Sequence, residues 1–362
     1  MENNVQDKLR RHFAFWNGET TDRPMAGFQV GSYFMAQRYE AAASILKPGM
    51  IITPDMLNPM EFLADYERQY QYTLEIGQDA FYAAEPYIGI PWMEAMLGCT
   101  IGATTESMWA EHWMEDWADV QNLRLDSDNP WFKKYVEFVD VLADYSKGRF
   151  PIAQGIMRGP SDIVGAIIGQ SRLPYEVFDN PDQIKRLAKI ATDAFIHVVD
   201  TLQKHAPAFH GGYSIGFYHI WAPDHVIWYQ EDLSALLSPT LFRNLFLDCG
   251  VQICQYASHN AIHVHPSSFF LLDDILNIEP LKVIQINKDV GGPNVSQMLP
   301  EFKKVLASGK KLIIWGALDQ EDLGAVMEEL PSHSIYLDIV VEHVDQGKAL
   351  MQYLKELAAR KK

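Results

Sequence analysis

The stretch KVIQINKDVGGPNVSQMLPEFKKVLASGKKLIIWGAL, residues 282–318, has a strand–helix–strand pattern. Two short apolar runs rich in β-branched residues, Lys282–Lys288 and Lys311–Leu318, flank a segment of helical character. Neighbouring parallel strands need a long crossover connection, which is usually a helix. The stretch therefore predicts a right-handed βαβ unit of a parallel sheet.

The same alternation recurs along the whole chain. The runs that predict strands are Met25–Gly31, Ala80–Tyr87, Pro151–Met157, His210–Phe217, Ala261–His265, Lys282–Lys288, Lys311–Leu318 and Ser334–Val341. Eight uninterrupted units favour a single (β/α)8 TIM barrel, an α/β fold, over residues 1–362, with an N-terminal helical extension at about 1–22. A doubly wound sheet is the alternative, but its usual glycine-rich phosphate loop is missing, since Gly27–Ser32 is GFQVGS.

Three segments between the strands have a helical pattern. Asn180–His205 and Ser238–Ala257 each begin with a capping residue followed by proline, which is typical of a helix start. Trp109, Trp113 and Trp117 are spaced four residues apart, which predicts one face of a helix that packs into the core.

Composition excludes several classes of protein. The 362 residues include 48% hydrophobic and 21% charged residues, which is typical of a globular chain rather than a disordered one. A net charge of −17 argues against nucleic acid and anionic membrane surfaces as partners. The three cysteines form no CxxC pair, and the N-terminus resembles no signal peptide, so we expect a cytoplasmic protein without a disulfide framework or membrane span.

In a TIM barrel the active site lies at the C-terminal ends of the strands. The polar and aromatic residues at the predicted strand ends are Gln29, Glu85, Arg158, Tyr213, His263, His265, Asp289, Trp315, Asp319 and Asp338. These residues are the first candidates for a functional site.

The segment AIHVHPSS, residues 261–268, carries the clearest candidate chemistry. Alternate residues of a strand face the same side, so His263 and His265 share one face and can bind a transition metal, most often zinc. An HxH pair alone is a weak motif. Two histidines that donate protons or form hydrogen bonds with barrel carboxylates are the alternative.

The segment His210–Pro239 contains the end of the fourth predicted strand and then a long aromatic excursion. Long loops in compact domains are usually functional, and this one fits either a lid over a flat apolar ligand or a plug that closes the barrel. Both interpretations stay open. The candidate substrate-binding residues are Trp221, Trp228 and His219 in the excursion, with Arg158 and Trp315 at other strand ends.

The order of these features resembles the uroporphyrinogen decarboxylase and corrinoid methyltransferase superfamily, whose fold is a (β/α)8 barrel. The matching segments are Asp22–Tyr33, Gly155–Gly169, Glu231–Phe242, Ile262–Ser268 and Leu312–Leu323. The resemblance extends over nearly the whole chain and implies a barrel enzyme.

The chain departs from the decarboxylase pattern. Those enzymes hold a substrate with many carboxylates through arginines near the first strand, but the matching stretch QVGSYFMAQRYE contains only Arg38. The family's aspartate near the second strand has no clear match, with Glu85 or Glu94 nearest, and Asp232 replaces a serine. We therefore do not expect turnover of uroporphyrinogen.

The zinc methyltransferase branch implies a ligand set instead. His263 matches the first ligand, His265 replaces a cysteine, and Asp338 is the substitute for a cysteine on the last strand. Without thiolates, zinc is more electrophilic and better suited to polarise an ether or alkoxide oxygen. This implies demethylation of a small donor, with the methyl group passed to a corrinoid on a separate protein. The implied catalytic residues are Asp232, Tyr213 and Glu85.

Three functions stay open from the sequence. The first is the corrinoid-dependent zinc methyltransferase. The second is a metal-independent decarboxylase or lyase on a small carboxylated substrate, with His263 or His265 as the general acid. The third is a non-catalytic barrel that binds an aromatic or sugar-like metabolite. The sequence does not fix the oligomeric state, and a homodimer is among the states considered.

Overall fold

The computed structural model describes residues 2–155 and 157–361 and has a mixed α/β fold. The strands are β1 (Met25–Val30), β2 (Met50–Ile52), β3 (Thr100–Ala103), β4 (Met108–Glu111), β5 (Tyr213–Ile215), β6 (Ile220–Ala222), β7 (Val226–Gln230), β8 (His259–Val264), β9 (Val283–Lys288), β10 (Lys311–Gly316) and β11 (Ile335–Val341). The α-helices are α1 (Glu2–Asn17), α2 (Leu63–Ile76), α3 (Trp92–Met96), α4 (Pro130–Ser146), α5 (Pro160–Ile168), α6 (Leu173–Asp179), α7 (Pro181–His205), α8 (Pro239–Leu245), α9 (Leu247–Tyr256), α10 (Leu272–Leu276), α11 (Val295–Ala307), α12 (Gln320–Glu329) and α13 (Val344–Arg360).

A six-stranded parallel sheet, in the order β1-β11-β10-β9-β8-β7, forms the centre of the molecule. The predicted βαβ unit is confirmed, because β9 and β10 pair in parallel with Lys311 opposite Val283, and α11 connects them. Helix α11 begins with a capping box in which the side chain of Asn294 accepts from the backbone N–H of Gln297.

Between β1 and β7 the pairing is irregular. Single parallel bridges join Ala84 to Ile152, Gln154 to Ile215 and Arg158 to Gln230. The predicted strand Ala80–Tyr87 and the described residues of the predicted strand Pro151–Met157, from which residue 156 is excluded, are therefore not regular strands. His210–Phe217 contributes only β5, which pairs antiparallel with β6.

Side chains replace backbone ladder bonds in this region, which explains the irregular pairing. The Gln154 amide donates from Nε2 to the Trp228 carbonyl (2.7 Å) and accepts from the Trp228 N–H at Oε1 (3.1 Å). On β1, the Phe28 N–H donates to Gln78 Oε1 (2.8 Å) and the Ala26 N–H to Asp79 Oδ2 (2.9 Å). Polar groups at both sheet edges are thus satisfied without a continuous strand.

The predicted helix at the tryptophan stripe is wrong. Met108–Glu111 is β4, which pairs antiparallel with β3, and Trp117 begins a 3₁₀ turn. Thr104 causes the reversal, because its hydroxyl oxygen accepts from the Ser107 N–H (2.9 Å) and closes a tight turn before β4.

The other helix predictions have mixed outcomes. The predicted helix at Asn180–His205 is confirmed as α7, which begins at Pro181. The segment Ser238–Ala257 forms two helices, α8 and α9, which meet at Phe246. Strand β7 lies inside the excursion that we interpreted as a loop. Within residues 2–155 and 157–361, no helix has the length and apolar character that a membrane crossing requires.

A buried ion pair fixes the start of β1. Arg23 donates from Nη2 to Asp79 Oδ1 (2.9 Å), and both side chains are buried. Burial opposes ionisation of Asp79, but the hydrogen bond and charge of Arg23 outweigh it and lower the pKa of Asp79 below its usual 3.8. The pair therefore stabilises the fold above the unfolded-state pKa of aspartate, and this stabilisation is lost as the pH falls through the lowered pKa.

We expect Asp79→Asn to lower the free energy of unfolding by about 3–5 kcal/mol, because it leaves the Arg23 charge buried without a partner. Urea denaturation at neutral pH measures the change. The control is Asp128→Asn, which removes the exposed partner of Lys133 and should leave the stability nearly unchanged. Equal effects of the two substitutions would contradict the assigned role of the buried pair.

Candidate functional site

Three neighbouring strands present polar residues side by side at one edge of the sheet. Gln230 at the end of β7 is opposite His263 on β8, and His263 is opposite Gln285 on β9. Asp232 follows β7 by two residues, and His265 follows β8 directly. The carboxyl ends of parallel strands lie at the same edge, so the register brings Asp232, His263 and His265 together.

The distances place one ligand atom of each of these residues within 4.8 Å of the others. Asp232 Oδ1 is 3.5 Å from His263 Nε2 and 3.9 Å from His265 Nε2. The two imidazole rings are nearly perpendicular, with centroids 4.5 Å apart. Ligand atoms of a tetrahedral zinc ion lie about 3.3 Å apart, so a small contraction would bring these three atoms to zinc distance.

A chain of hydrogen bonds sets the tautomer of His263. The Gln285 amide donates from Nε2 to Asn287 Oδ1 (2.8 Å), so its Oε1 must be the atom that faces His263. This oxygen accepts from Nδ1 of His263 and from the hydroxyl of Tyr218 (2.6 Å). The ring therefore carries its hydrogen on Nδ1, and the lone pair of Nε2 is directed towards Asp232.

His265 has the same arrangement with a charged partner. Its Nδ1 donates to both carboxylate oxygens of Asp289, each at 2.9 Å. Its Nε2 consequently faces Asp232. Asp232 is held in turn by Gln230, whose Nε2 donates to Oδ2 (2.7 Å) and leaves Oδ1 for the two histidines.

The two histidines differ in charge. Burial lowers the pKa of His263, which keeps its ring neutral and able to bind a metal. Burial also opposes protonation of His265, but the hydrogen bond to Asp289 and the charges of Asp232 and Asp289 outweigh it and raise the pKa of His265 above 6.5. Without a metal, His265 therefore holds a proton more readily than His263.

Two further carboxyl groups lie behind Asp232. Burial raises the pKa of Glu231 to about 8, against the effect of the Ser161 hydroxyl and N–H, which both donate to it. Burial and the charge of Asp232 raise the pKa of Asp162 well above its usual value. Burial therefore favours the protonated form of both groups, which reduces the negative charge around Asp232.

The other predicted polar site residues lie elsewhere. Asp338 on β11 is fully buried, its Oδ2 accepts from Gln29 Nε2 (2.6 Å), and it is not part of the Asp232–His263–His265 group. Glu85 lines a cavity of about 30 Å³ together with His219. Burial raises the pKa values of Glu85 and Asp338 well above the usual range of carboxyl groups.

The predicted aromatic residues pack against other aromatic rings in the structure. Tyr213 stacks on His225, with ring centroids 4.5 Å apart. Trp221 is buried against α1 and donates from Nε1 to the Phe209 carbonyl (2.7 Å). Trp228 and Trp315 are buried, and each packs against the ring of Phe217. None of these four contributes to the group of ligand atoms found among the described residues.

The residues that orient the histidines were not predicted from the sequence. Asp289 was a candidate only as a residue at a strand end, and Gln285 was not a candidate. A detectable pattern was present, because Gln285 and Asn287 alternate with isoleucines on a buried strand and so share one face.

Comparisons with known proteins bear on the fold. No family model matches the chain, and no curated protein does. Among solved structures, a methyltransferase from Methanosarcina mazei is similar, with a TM-score of 0.65 and 15% sequence identity over 97% of this chain and 98% of that chain. At this low identity the similarity shows a common fold.

We expect Asp289→Asn to lower the pKa of His265 in the metal-free protein, because it removes the charge that stabilises the imidazolium. NMR titration of the histidine ring signals measures this change. In the unmodified protein the raised pKa of His265 contributes stability below the unfolded-state pKa, and this contribution disappears as the pH rises through the folded-state pKa. Asp273→Asn, at an exposed carboxylate on α10, is the control. An unchanged His265 titration in Asp289→Asn would contradict the assigned ion pair.

Proposed function

We propose that this protein is a methyltransferase that moves a methyl group between a small methylated substrate and a corrinoid on a separate protein, with zinc bound by Asp232, His263 and His265. The similarity in fold to a methyltransferase and the set of donor atoms support this proposal. It places the chain among the uroporphyrinogen decarboxylase-like proteins, with the irregular segments between β1 and β7 completing a (β/α)8 barrel.

One observation carries the proposal. Both histidines use Nδ1 for a hydrogen bond to a side-chain oxygen, and both direct a lone pair from Nε2 towards Asp232 Oδ1. When both Nε2 atoms are unprotonated, their lone pairs and the carboxylate oxygen repel one another, and a metal cation between them relieves this repulsion in place of the proton that His265 otherwise holds. Imidazole and carboxylate ligands, oriented by a second shell of hydrogen bonds, are typical of zinc.

We assign the third ligand to Asp232 rather than to Asp338. Asp232 Oδ1 is within 4 Å of both Nε2 atoms, whereas Asp338 is hydrogen-bonded to Gln29. The raised pKa of Asp338 also favours a protonated carboxyl group, which is a poor metal ligand.

The protein residues have separate tasks in this proposal. A bound zinc ion would act as a Lewis acid towards the substrate oxygen that loses the methyl group. Gln285 and Asp289 orient the two imidazoles, and Gln230 orients Asp232. The raised pKa of Glu231 favours its protonated form, which limits the negative charge beside Asp232.

A decarboxylase or lyase is the second candidate function, and the raised pKa of His265 favours it. A protonated imidazole at the edge of the sheet could donate a proton to a substrate carbon without a metal. The presence or absence of bound zinc distinguishes the two candidates.

We expect the purified protein to contain a stoichiometric amount of zinc, measured by elemental analysis. His263→Ala and Asp232→Asn should each lose most of it, because each removes one of three protein ligands. Asp338→Asn, which keeps the shape of a protonated carboxyl group, should retain zinc. Loss of zinc in Asp338→Asn but not in Asp232→Asn would reverse our ligand assignment.

We expect His263→Ala to abolish methyl transfer to cob(I)alamin, followed by the change in corrinoid absorbance with a panel of methyl ethers as donors. Gln285→Glu should retain part of the activity, because a carboxylate can still accept from Nδ1 of His263. A matched control is Gln297→Glu, on α11 at the surface. A zinc-free protein whose stability and activity do not respond to added zinc would contradict the methyltransferase proposal and favour the lyase.

A further inference from the structure

An open groove of about 540 Å³ lies between β4 and α5, outside the proposed zinc group. Its volume is within the usual range of small-molecule sites. The residues that matter for its chemistry are Trp109, Glu111, His112, Arg158, Gly165 and Gly169. The proposed function assigns no task to these residues.

Arg158 is the cation of this groove. Its Nε lies 3.2 Å from Oε1 of Glu94, a carboxylate that is only 1% exposed, so an ion pair without hydrogen-bond alignment anchors one side of the guanidinium. Across the described parts of the chain, the two terminal nitrogens of Arg158 have no hydrogen-bond partner. A guanidinium with two parallel N–H donors binds a carboxylate in a bidentate manner.

Trp109 forms a flat wall of the groove and is 40% exposed. Its position is set by Gly102, the residue opposite it on β3, because a Cβ at position 102 would lie 2.5 Å from the indole ring. The indole ring of Trp109 is therefore supported by β3 on one side and exposed to solvent on the other.

The wall and the cation are fixed relative to each other. The backbone N–H groups of Trp113 and Met114, just after β4, both donate to the carbonyl of Ile167 in α5 at 3.1 Å. Arg158 lies two residues before the start of α5 at Pro160. A ligand that contacts both Trp109 and Arg158 therefore meets a preformed surface, which reduces the entropic cost of binding.

The groove opens beside the proposed zinc group. Arg158 forms a backbone bridge with Gln230, and the Gln230 side chain donates to Asp232. Glu111 shares the Trp109 face of β4, so a second negative charge on the ligand would be repelled at that end.

We propose that this groove binds a planar, aromatic monocarboxylate whose ring lies on Trp109 and whose carboxylate pairs with Arg158. This binding does not rest on the proposed methyltransferase function, because it needs neither zinc nor a corrinoid.

The test is isothermal titration calorimetry of the full-length protein with three probes. Benzoate has the ring and the charge, benzamide has the ring without the charge, and cyclohexanecarboxylate has the charge without a flat ring. We expect benzoate to bind roughly tenfold or more tightly than either of the others, since charge-assisted hydrogen bonds and aromatic stacking each contribute at this level. Equal affinity for all three probes, or no binding of benzoate, would overturn the proposal.

Two substitutions assign the binding to the groove. Arg158→Gln should weaken benzoate binding at least about tenfold and leave benzamide nearly unchanged. Trp109→Leu should weaken both aromatic probes and spare cyclohexanecarboxylate. Because Arg158→Gln leaves the buried Glu94 without its partner, thermal unfolding must show that the variant is folded, and Trp109→Leu tests the groove independently at an exposed position.

Matched controls are Arg243→Gln, which removes a guanidinium paired with Asp274, and Tyr175→Leu, which removes an exposed aromatic ring on α6. Both should bind benzoate like the unmodified protein. Benzoate binding that both groove substitutions leave unchanged would overturn the groove site, whatever the zinc content. Groove-dependent benzoate binding by a zinc-free protein that transfers no methyl group would contradict the methyltransferase and leave the groove site supported.

Discussion

The structure depends on how the polar backbone groups between β1 and β7 are satisfied. Buried N–H and C=O groups cannot stay unpaired without a cost of about 1–3 kcal/mol each, and none of the described residues forms a regular strand of the parallel sheet in this part. Three side chains, those of Gln78, Asp79 and Gln154, supply the missing partners. Gln154 holds Trp228 in the middle of β7, and Asp232 follows the end of that strand. A side chain far away in sequence thus supports the strand that carries one residue of the candidate site.

The candidate site shows the same reliance on amide side chains. Gln230, Gln285 and Asn287 contribute no chemistry of their own, yet they fix which atoms of Asp232 and His263 face each other. Neutral amides orient these groups without adding charge, whereas Asp289 both orients and charges His265. The two histidines thus have the same tautomer but different affinities for a proton.

Sequence patterns predicted the parts of the fold that are local and periodic. The β9–α11–β10 unit and α7 depend on apolar spacing and helix caps, which lie within a few dozen residues, and the common face of His263 and His265 follows from strand alternation. The tryptophan stripe misled because its three members lie in different local structures: Trp109 is on β4, Trp113 follows that strand, and Trp117 begins a 3₁₀ turn. The short turn at Thr104 was the better indicator. Asp232 could not be identified as a partner of the histidines, since its position depends on the register between separate strands and on a turn after β7.

The side-chain bonds between β1 and β7 have a consequence for how this sequence can change over evolutionary time. Backbone hydrogen bonds between strands do not depend on side-chain identity. One apolar residue in β8 to β11 can therefore be replaced by another without loss of the sheet. The bonds from Gln78, Asp79 and Gln154 have no such freedom, because each is lost with its side chain. Selection on the fold should therefore weigh most heavily on a few polar positions outside the regular strands, and substitutions there should occur together with changes in the backbone segments they hold.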